Sequence, residues 1–176
     1  GLIHADDWNG SDWIAVPGCE VITSSNVPKT ELAAPGTSCF FKKIANGKTV
    51  KEAYWTVTGQ GVFQAYVNGK PLPDFLKPGF THVFKTRHSF TYDVTDMLDT
   101  DADAANVFSA MVSAGWWRDK IVHYRGKESA FRAQLILRFE DGSQSRFGTD
   151  GSWSGAVAGP VKAAGIFDGE TYDARV

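Results

Sequence analysis

Apolar side chains along this chain recur almost everywhere with a period of two, and that alternation is what most limits the fold. Ala53, Trp55 and Val57 alternate with Tyr54 and Thr56; Phe63, Ala65 and Val67 alternate with Gln64 and Tyr66; Leu135, Leu137 and Phe139 alternate with Gln134, Ile136 and Arg138. Successive side chains of an extended strand point to opposite faces, so each run predicts a strand with at least one buried face. The aromatic and β-branched content of the runs suits a pleated, half-buried surface. No window of about 12 residues carries the spacing of a long amphipathic helix.

Turn chemistry falls between the runs. Asn68-Gly69 and Asp141-Gly142 predict two-residue hairpin turns, because Asn, Asp and Gly tolerate positive φ. Gly59-Gln60-Gly61 separates two strand-like runs and predicts a further turn, while Pro71, Pro73 and Pro78 mark 70–84 as irregular. Residues 93–98 predict one short helical turn, with Thr95 or Asp96 as its cap. Short strands with turn signals every 8–12 residues or so predict an all-β fold, an antiparallel β-sandwich of jelly-roll (galactose-binding-like) type. No linker, repeat or composition shift divides residues 1–176, which read as one domain. The opening dozen residues, anchored by Trp8, Trp13 and Ile14, are expected to lie as an edge segment across the sandwich.

Composition narrows the function. The net charge is −2 with both signs scattered, so no basic stripe is available to displace counterions from nucleic acid. No apolar run approaches the roughly 18 residues of a membrane span. The Gly1 start lacks the features of a signal peptide and reads as a trimmed chain whose export signal, if any, was removed. Cys19 and Cys39 could pair in an exported protein, whereas a chain of this size does not need a staple, which favours two free thiols.

Catalytic and metal motifs fail on inspection. In Gly151-Ser152-Trp153-Ser154-Gly155 a tryptophan stands where a nucleophile elbow needs serine. Gly59-Gln60-Gly61 lacks the third glycine and the helix of a dinucleotide loop. The histidines show no paired metal spacing, and neither cysteine sits in a Cys-x-x-Cys. Asp99-Thr100-Asp101-Ala102-Asp103 lacks the glycine and the closing glutamate of a calcium loop and reads as a solvated acidic loop. Sugar recognition is the chemistry left, since sugars present apolar CH faces to rings and hydroxyls to amides and charges. Trp116, Trp117, Arg118, Tyr124, Phe80, His82 and Asn68, all near turns or strand ends, are its candidates. Core packing fits Trp55 and Trp153 better. In extended chain, adjacent Trp116 and Trp117 would point opposite ways, one inward and one outward.

A series of short motifs adds to this reading. Thr149-Asp150-Gly151-Ser152-Trp153, Gly159-Pro160 and the run from Asp168 to Arg175 follow Thr91-Tyr92-Asp93-Val94-Thr95 and Gly115-Trp116-Trp117. Together with the strand ending in Asn68-Gly69 and the Lys77-Pro78-Gly79-Phe80-Thr81 loop, where Phe80 replaces a tryptophan, they resemble the N-terminal accessory region of bacterial α-L-rhamnosidases. The similarity runs from roughly Trp13 to Arg175. It implies a non-catalytic sandwich, a fragment of a larger glycoside hydrolase, preceding an (α/α) barrel that removes terminal α-L-rhamnose. Neither catalytic carboxylate is then expected here, and the partners are rhamnose-containing glycans and the parent's barrel. A periplasmic or secreted bacterial protein is the expected setting.

Some relatives bind L-rhamnose with calcium beside the Asn-Gly hairpin and the Gly-Trp segment, which implicates Asn68 and residues 113–118. No cofactor is expected, because Val67 and Ala114 stand where oxygen ligands would help calcium, and Arg118 and Lys120 would repel it. Asn68-Gly69, Pro78-Gly79-Phe80 and Gly115–Arg118 are expected to converge at one end of the sandwich. Phe80 or one tryptophan would stack on the sugar while Asn68 and Arg118 bond its hydroxyls. Asp168, Glu170, Asp173 and Arg175 are expected at the junction with the barrel. The alternative is a purely structural domain that packs on and orients that barrel.

Overall fold

The alternating runs become strands whose inward residues interlock. The computed structural model describes residues 4–16, 37–82, 85–118, 128–157, 159–166 and 169–175. In chain order its strands are β1 (Ile14–Ala15), β2 (Ser38–Ala45), β3 (Val50–Gln60), β4 (Val62–Val67), β5 (Lys70–Pro71), β6 (Phe90–Asp93), β7 (Ala105–Ser113), β8 (Ala130–Phe139), β9 (Gln144–Gly148), β10 (Ser154–Ala156), β11 (Val161–Gly165) and β12 (Gly169–Tyr172). The described helical segments are short: 3-10 turns at Ala5–Trp8 and Thr95–Met97, and one α-turn, α1, at Gly115–Arg118.

Two five-stranded antiparallel sheets form the sandwich. One has the order β1-β8-β3-β6, with β9 also pairing β8; the other has the order β10-β2-β7-β4-β5. A separate hairpin pairs β11 with β12. This is the antiparallel jelly-roll sandwich that the alternation predicts.

The period of two explains the core. Ala53, Trp55 and Val57 of β3 stand opposite Leu137, Leu135 and Ala133 of β8, and all six are buried. Across the sandwich, Phe63, Ala65 and Val67 of β4 oppose Val112, Ala110 and Phe108 of β7. Phe131 is fully buried at the hub, with the rings of Phe40, Trp55, Phe63 and Trp153 between 6.0 and 6.3 Å away. Burying each such large side chain contributes about 1.5–3 kcal/mol, with aromatic pairs adding to that. Trp55, edge-on to Phe108 at 5.1 Å, packs as a core residue, as expected.

Three local expectations need correction. Gly59-Gln60-Gly61 is no hairpin, because β3 and β4 lie in different sheets. Gly61, at φ 133, carries the chain across the sandwich where a side chain would strike the Ser113 carbonyl. The β8–β9 turn is longer than two residues: Phe139 N–H donates to Ser143 O at 2.9 Å, enclosing Glu140-Asp141-Gly142 with Gly142 at φ 80. The Asp141 carboxylate sets that geometry by accepting from the Ser143 N–H at 2.9 Å and from its hydroxyl at 2.5 Å. At the second 3-10 turn neither Thr95 nor Asp96 caps: the N-cap is Val94, which brings no side-chain bond, and the preceding Asp93 side chain accepts from Thr95 N at 3.0 Å and Thr95 Oγ1 at 2.6 Å. The Asn68-Gly69 hairpin turn is as predicted, with both residues at positive φ, 51 and 77.

The N-terminal residues do lie across a sheet edge. Ile14 and Ala15 pair with Phe131 and Ala130. Asp12 N–H donates to Thr149 O at 2.6 Å, and the buried Thr149 hydroxyl returns a bond to Asp12 O at 2.6 Å. Thr149 thus opens the Thr149-Asp150-Gly151-Ser152-Trp153 string with a structural role. Asp150 accepts from Ser152, and the Trp153 indole donates to Gly148 O at 3.1 Å.

Candidate functional site

One end of the sandwich gathers the exposed rings, and glycines make this possible. Gly115, at φ 49, sits against Val62, where any side chain would collide with that residue. The turn α1 is thereby held at the start of β4. The Phe63 N–H donates to Lys77 O at 2.7 Å, bringing the proline-rich loop to the same end. Phe80 then lies edge-on to Trp116 with ring centroids 5.3 Å apart, while staying 62% exposed itself.

Trp116 and Trp117 do not divide into one buried and one outward ring. That expectation presumed extended backbone, but the pair stands on a helical turn, where neighbours diverge by about 100°. Both are half-buried. Trp117 donates its indole N–H to Glu128 O at 2.8 Å. The Arg118 side chain lies outside the described residues, as do Tyr124 and Lys120.

Sequence reasoning missed the group that organises this end. The Arg87 guanidinium stacks over both Trp13 and Trp117, at 5.0 and 5.7 Å from the ring centroids. Gln60, with its amide oxygen turned toward Arg87, accepts from both terminal nitrogens at 2.8 and 3.1 Å. Desolvation lowers the Arg87 pKa, although a guanidinium stays charged. Gln60, Gly79, Arg87, His88, Trp116 and Trp117 are among the residues lining a narrow cleft between α1 and the loop. Rings, amide and fixed cation are side by side there, the donor set that a hydroxyl-rich ligand needs. His82 is exposed on the neighbouring loop.

Asn68 is not part of this end. It follows β4 while α1 adjoins the start of that strand, and β4 is six residues long. At about 3.3 Å per residue the separation is roughly 20 Å, so the expected convergence with Trp116 and Trp117 fails. The Asn68 amide instead donates to Met97 O at 3.0 Å and Asn106 Oδ1 at 2.7 Å, and its oxygen accepts from Val107 N at 2.9 Å. Asn-Gly marks the turn equally well whether the amide faces solvent or protein.

Calcium does not fit the expected location. Val67 and Ala114 are buried and apolar, and the Asn68 oxygen already accepts from Val107. Among the described residues no group of three or more His, Cys, Asp or Glu is placed to hold a metal ion. The backbone of the 99–103 loop is held by amides: Asn46 donates to Asp99 O and Asp101 O at 2.8 and 2.7 Å.

At the C-terminal hairpin, Asp173 takes two bonds from Arg175, at 2.8 and 2.9 Å, and the Arg175 bond holds its pKa down at about 2. Glu170 is exposed on β12, and Tyr172 beside it is 61% exposed. Asp168 lies outside the described residues, as does Cys19.

These features define an antiparallel β-sandwich with an aromatic cleft at one end. Residues 48–176 match the alpha-L-rhamnosidase N-terminal domain, and the chain belongs to that family. An α-L-rhamnosidase of Alteromonas sp. is 34% identical over 98% of this chain but only 19% of its own length. The crystal structure of the Aspergillus terreus α-L-rhamnosidase is 27% identical with TM-score 0.83, covering 99% of this chain and 20% of its own. That of the Streptomyces avermitilis α-L-rhamnosidase complexed with L-rhamnose is 31% identical with TM-score 0.73, over 82% of this chain and 14% of its own. The chain thus spans about a fifth of the curated relatives it matches, 19% of the Alteromonas protein, as the N-terminal domain of much longer enzymes.

Proposed function

We propose that this chain is a non-catalytic accessory domain of an α-L-rhamnosidase, and that its aromatic end contacts the rhamnose-containing glycan on which the parent acts. The observation that carries this reading is the exposed Phe80 ring set against Trp116, beside the Trp13–Arg87–Trp117 stack. Phe80 and the indoles offer apolar faces to a sugar ring, and Arg87, Gln60 and His88 offer hydrogen bonds to its hydroxyls. In this reading the parent's downstream barrel supplies the hydrolytic carboxylates.

Calorimetric titration of the folded chain with L-rhamnose tests it. Millimolar or tighter binding, accompanied by a change in indole fluorescence, is the expected result. Silence from a folded protein would leave the second reading, a domain that only packs on and orients the parent's barrel. That reading has its own support in adjacent Phe75 and Leu76, 72% and 71% exposed on the proline-rich loop and apolar enough to seat in a neighbouring domain.

A further inference from the structure

We propose a second carbohydrate contact site, on the outer face of the β3–β8–β9 sheet and independent of the aromatic end. The N-terminal segment crosses this face as a strap, and a cleft of about 470 Å³ opens between strap and sheet. That volume lies in the range of small-ligand sites. The strap is pinned at several points. Gly148 lies so close to the Gly10 carbonyl that a side chain there would collide. Arg132 Nε donates to Ser11 O at 2.9 Å, and Gln134 Nε2 donates to Asn9 O at 3.3 Å.

The lining is what a neutral, hydroxyl-rich ring would require. Asp6 and Asp7 supply carboxylate acceptors from the strap, one Asp7 oxygen already accepting from the His4 N–H at 2.8 Å, and Arg146 supplies a guanidinium donor from β9. From the sheet floor come Thr56 and Gln134, directly paired across β3 and β8. Gln134 is only 7% exposed, and its carboxamide oxygen has no hydrogen-bond partner among the described residues. That oxygen is not sealed from solvent, and at the floor of a polar cleft it can accept a hydrogen bond from outside the chain, whether from water or from a sugar hydroxyl. Trp8 contributes the apolar element. Arg132 lies over its ring at 4.9 Å, and no other ring or cation of the described residues engages it. The two carboxylates face one lining guanidinium with a second, Arg132, behind the ring, so the charges are balanced and a strongly charged ligand is not selected. The strap and sheet therefore hold a neutral pyranose unit, with the ring face on Trp8 and hydroxyls on Asp6, Asp7, Gln134 and Arg146.

The test is an ¹⁵N-resolved NMR titration of the whole chain with methyl α-L-rhamnopyranoside and, separately, methyl α-D-glucopyranoside, to tens of millimolar. The expected result is saturable shifts at the Trp8 indole, the Gln134 side-chain amide and the 6–9 backbone with at least one of the two sugars. These shifts persist in Trp116→Ala, which separates this site from the aromatic end, and weaken at least fivefold in affinity in Arg146→Gln and Trp8→Ala. Arg146 is exposed, so its variant keeps the fold if Trp8→Ala does not. Absence of shifts at the strap with both sugars overturns the proposal, whatever happens at residues 79–81 and 115–117. Shifts that Arg146→Gln leaves unweakened overturn it as well.

Discussion

Asn68 and Asn106 face each other at 2.7 Å, amide nitrogen to amide oxygen, across the β4 and β7 strands. Asn106 is 1% exposed and makes every bond its carboxamide can. It also accepts from Asp99 N at 2.8 Å and donates to Asn46 Oδ1 at 3.0 Å and Asp99 O at 2.9 Å. Replacing it by Leu strands several buried partners at once. Asn106→Leu is expected to lose about 2–4 kcal/mol in urea unfolding, since each unsatisfied buried group costs about 1–3 kcal/mol. A loss below about 1 kcal/mol would show that the asparagine ladder is ornamental.

The same ladder separates stability from binding. Trp116→Ala or Trp117→Ala is expected to weaken L-rhamnose binding by about 1–3 kcal/mol, as truncation of an aromatic anchor does. Asn68→Ala should lower the unfolding free energy by about 1–2 kcal/mol through its lost bonds and positive φ, yet leave the affinity unchanged. Calorimetry on the three variants decides. An Asn68→Ala protein that is folded but no longer binds would place the sugar at the wrong end of β4.

Two glycines separate backbone strain from steric overlap. Gly142 has φ 80 but open space around it, so Gly142→Ala pays for conformation alone, about 1 kcal/mol. Gly61 combines φ 133 with backbone in the path of a side chain. Gly61→Ala is expected to cost more than about 3 kcal/mol or to prevent folding, as read from thermal and urea denaturation.

Acid should act on the turns. Asp141 is held far below the usual carboxylate range, first by the Lys48 bond and then by Ser143; Asp150 is lowered by Ser152 and Asp93 by Thr95. A depressed folded pKa gives stability that is present above the unfolded value, about 3.9, and is lost as pH falls through the folded one. These groups are exposed, so the loss at each is small. A melting series from about pH 5 to about pH 2 should show the decline, and Asp141→Asn should make it shallower. An Asp141→Asn curve parallel to that of the unmutated chain would remove Asp141 from the account.

The strands were readable from the sequence because alternation reports burial directly: Trp55 and Val57 must face the same way whatever their neighbours. Pairing was not, since Gly59-Gln60-Gly61 looks alike whether it closes a hairpin or changes sheets, and only the packing of Gly61 on Ser113 decides. The rings of the candidate site were legible as exposed aromatics beside turns. Arg87 was not, because Trp13 and Trp117 come from distant parts of the chain and no local pattern records their meeting around it. Asn68 carried the right turn signal and the wrong inference, since φ preference says nothing about where an amide points.

The placement of β2 bears on where such a domain can be cut. β2 lies between β10 and β7, so among the described residues β10 has no other partner strand in its sheet, and Phe40 of β2 packs on the Phe131 hub. The segment that matches the family's N-terminal domain, residues 48–176, begins after β2 has ended, although whole relatives such as the Alteromonas enzyme align over 98% of the chain. A piece trimmed to that segment would expose the β7 edge, orphan β10 and open the core beside Phe131. The part that matches the family domain is thus shorter than the part whose packing closes the core, and the excisable unit must reach back at least to Ser38.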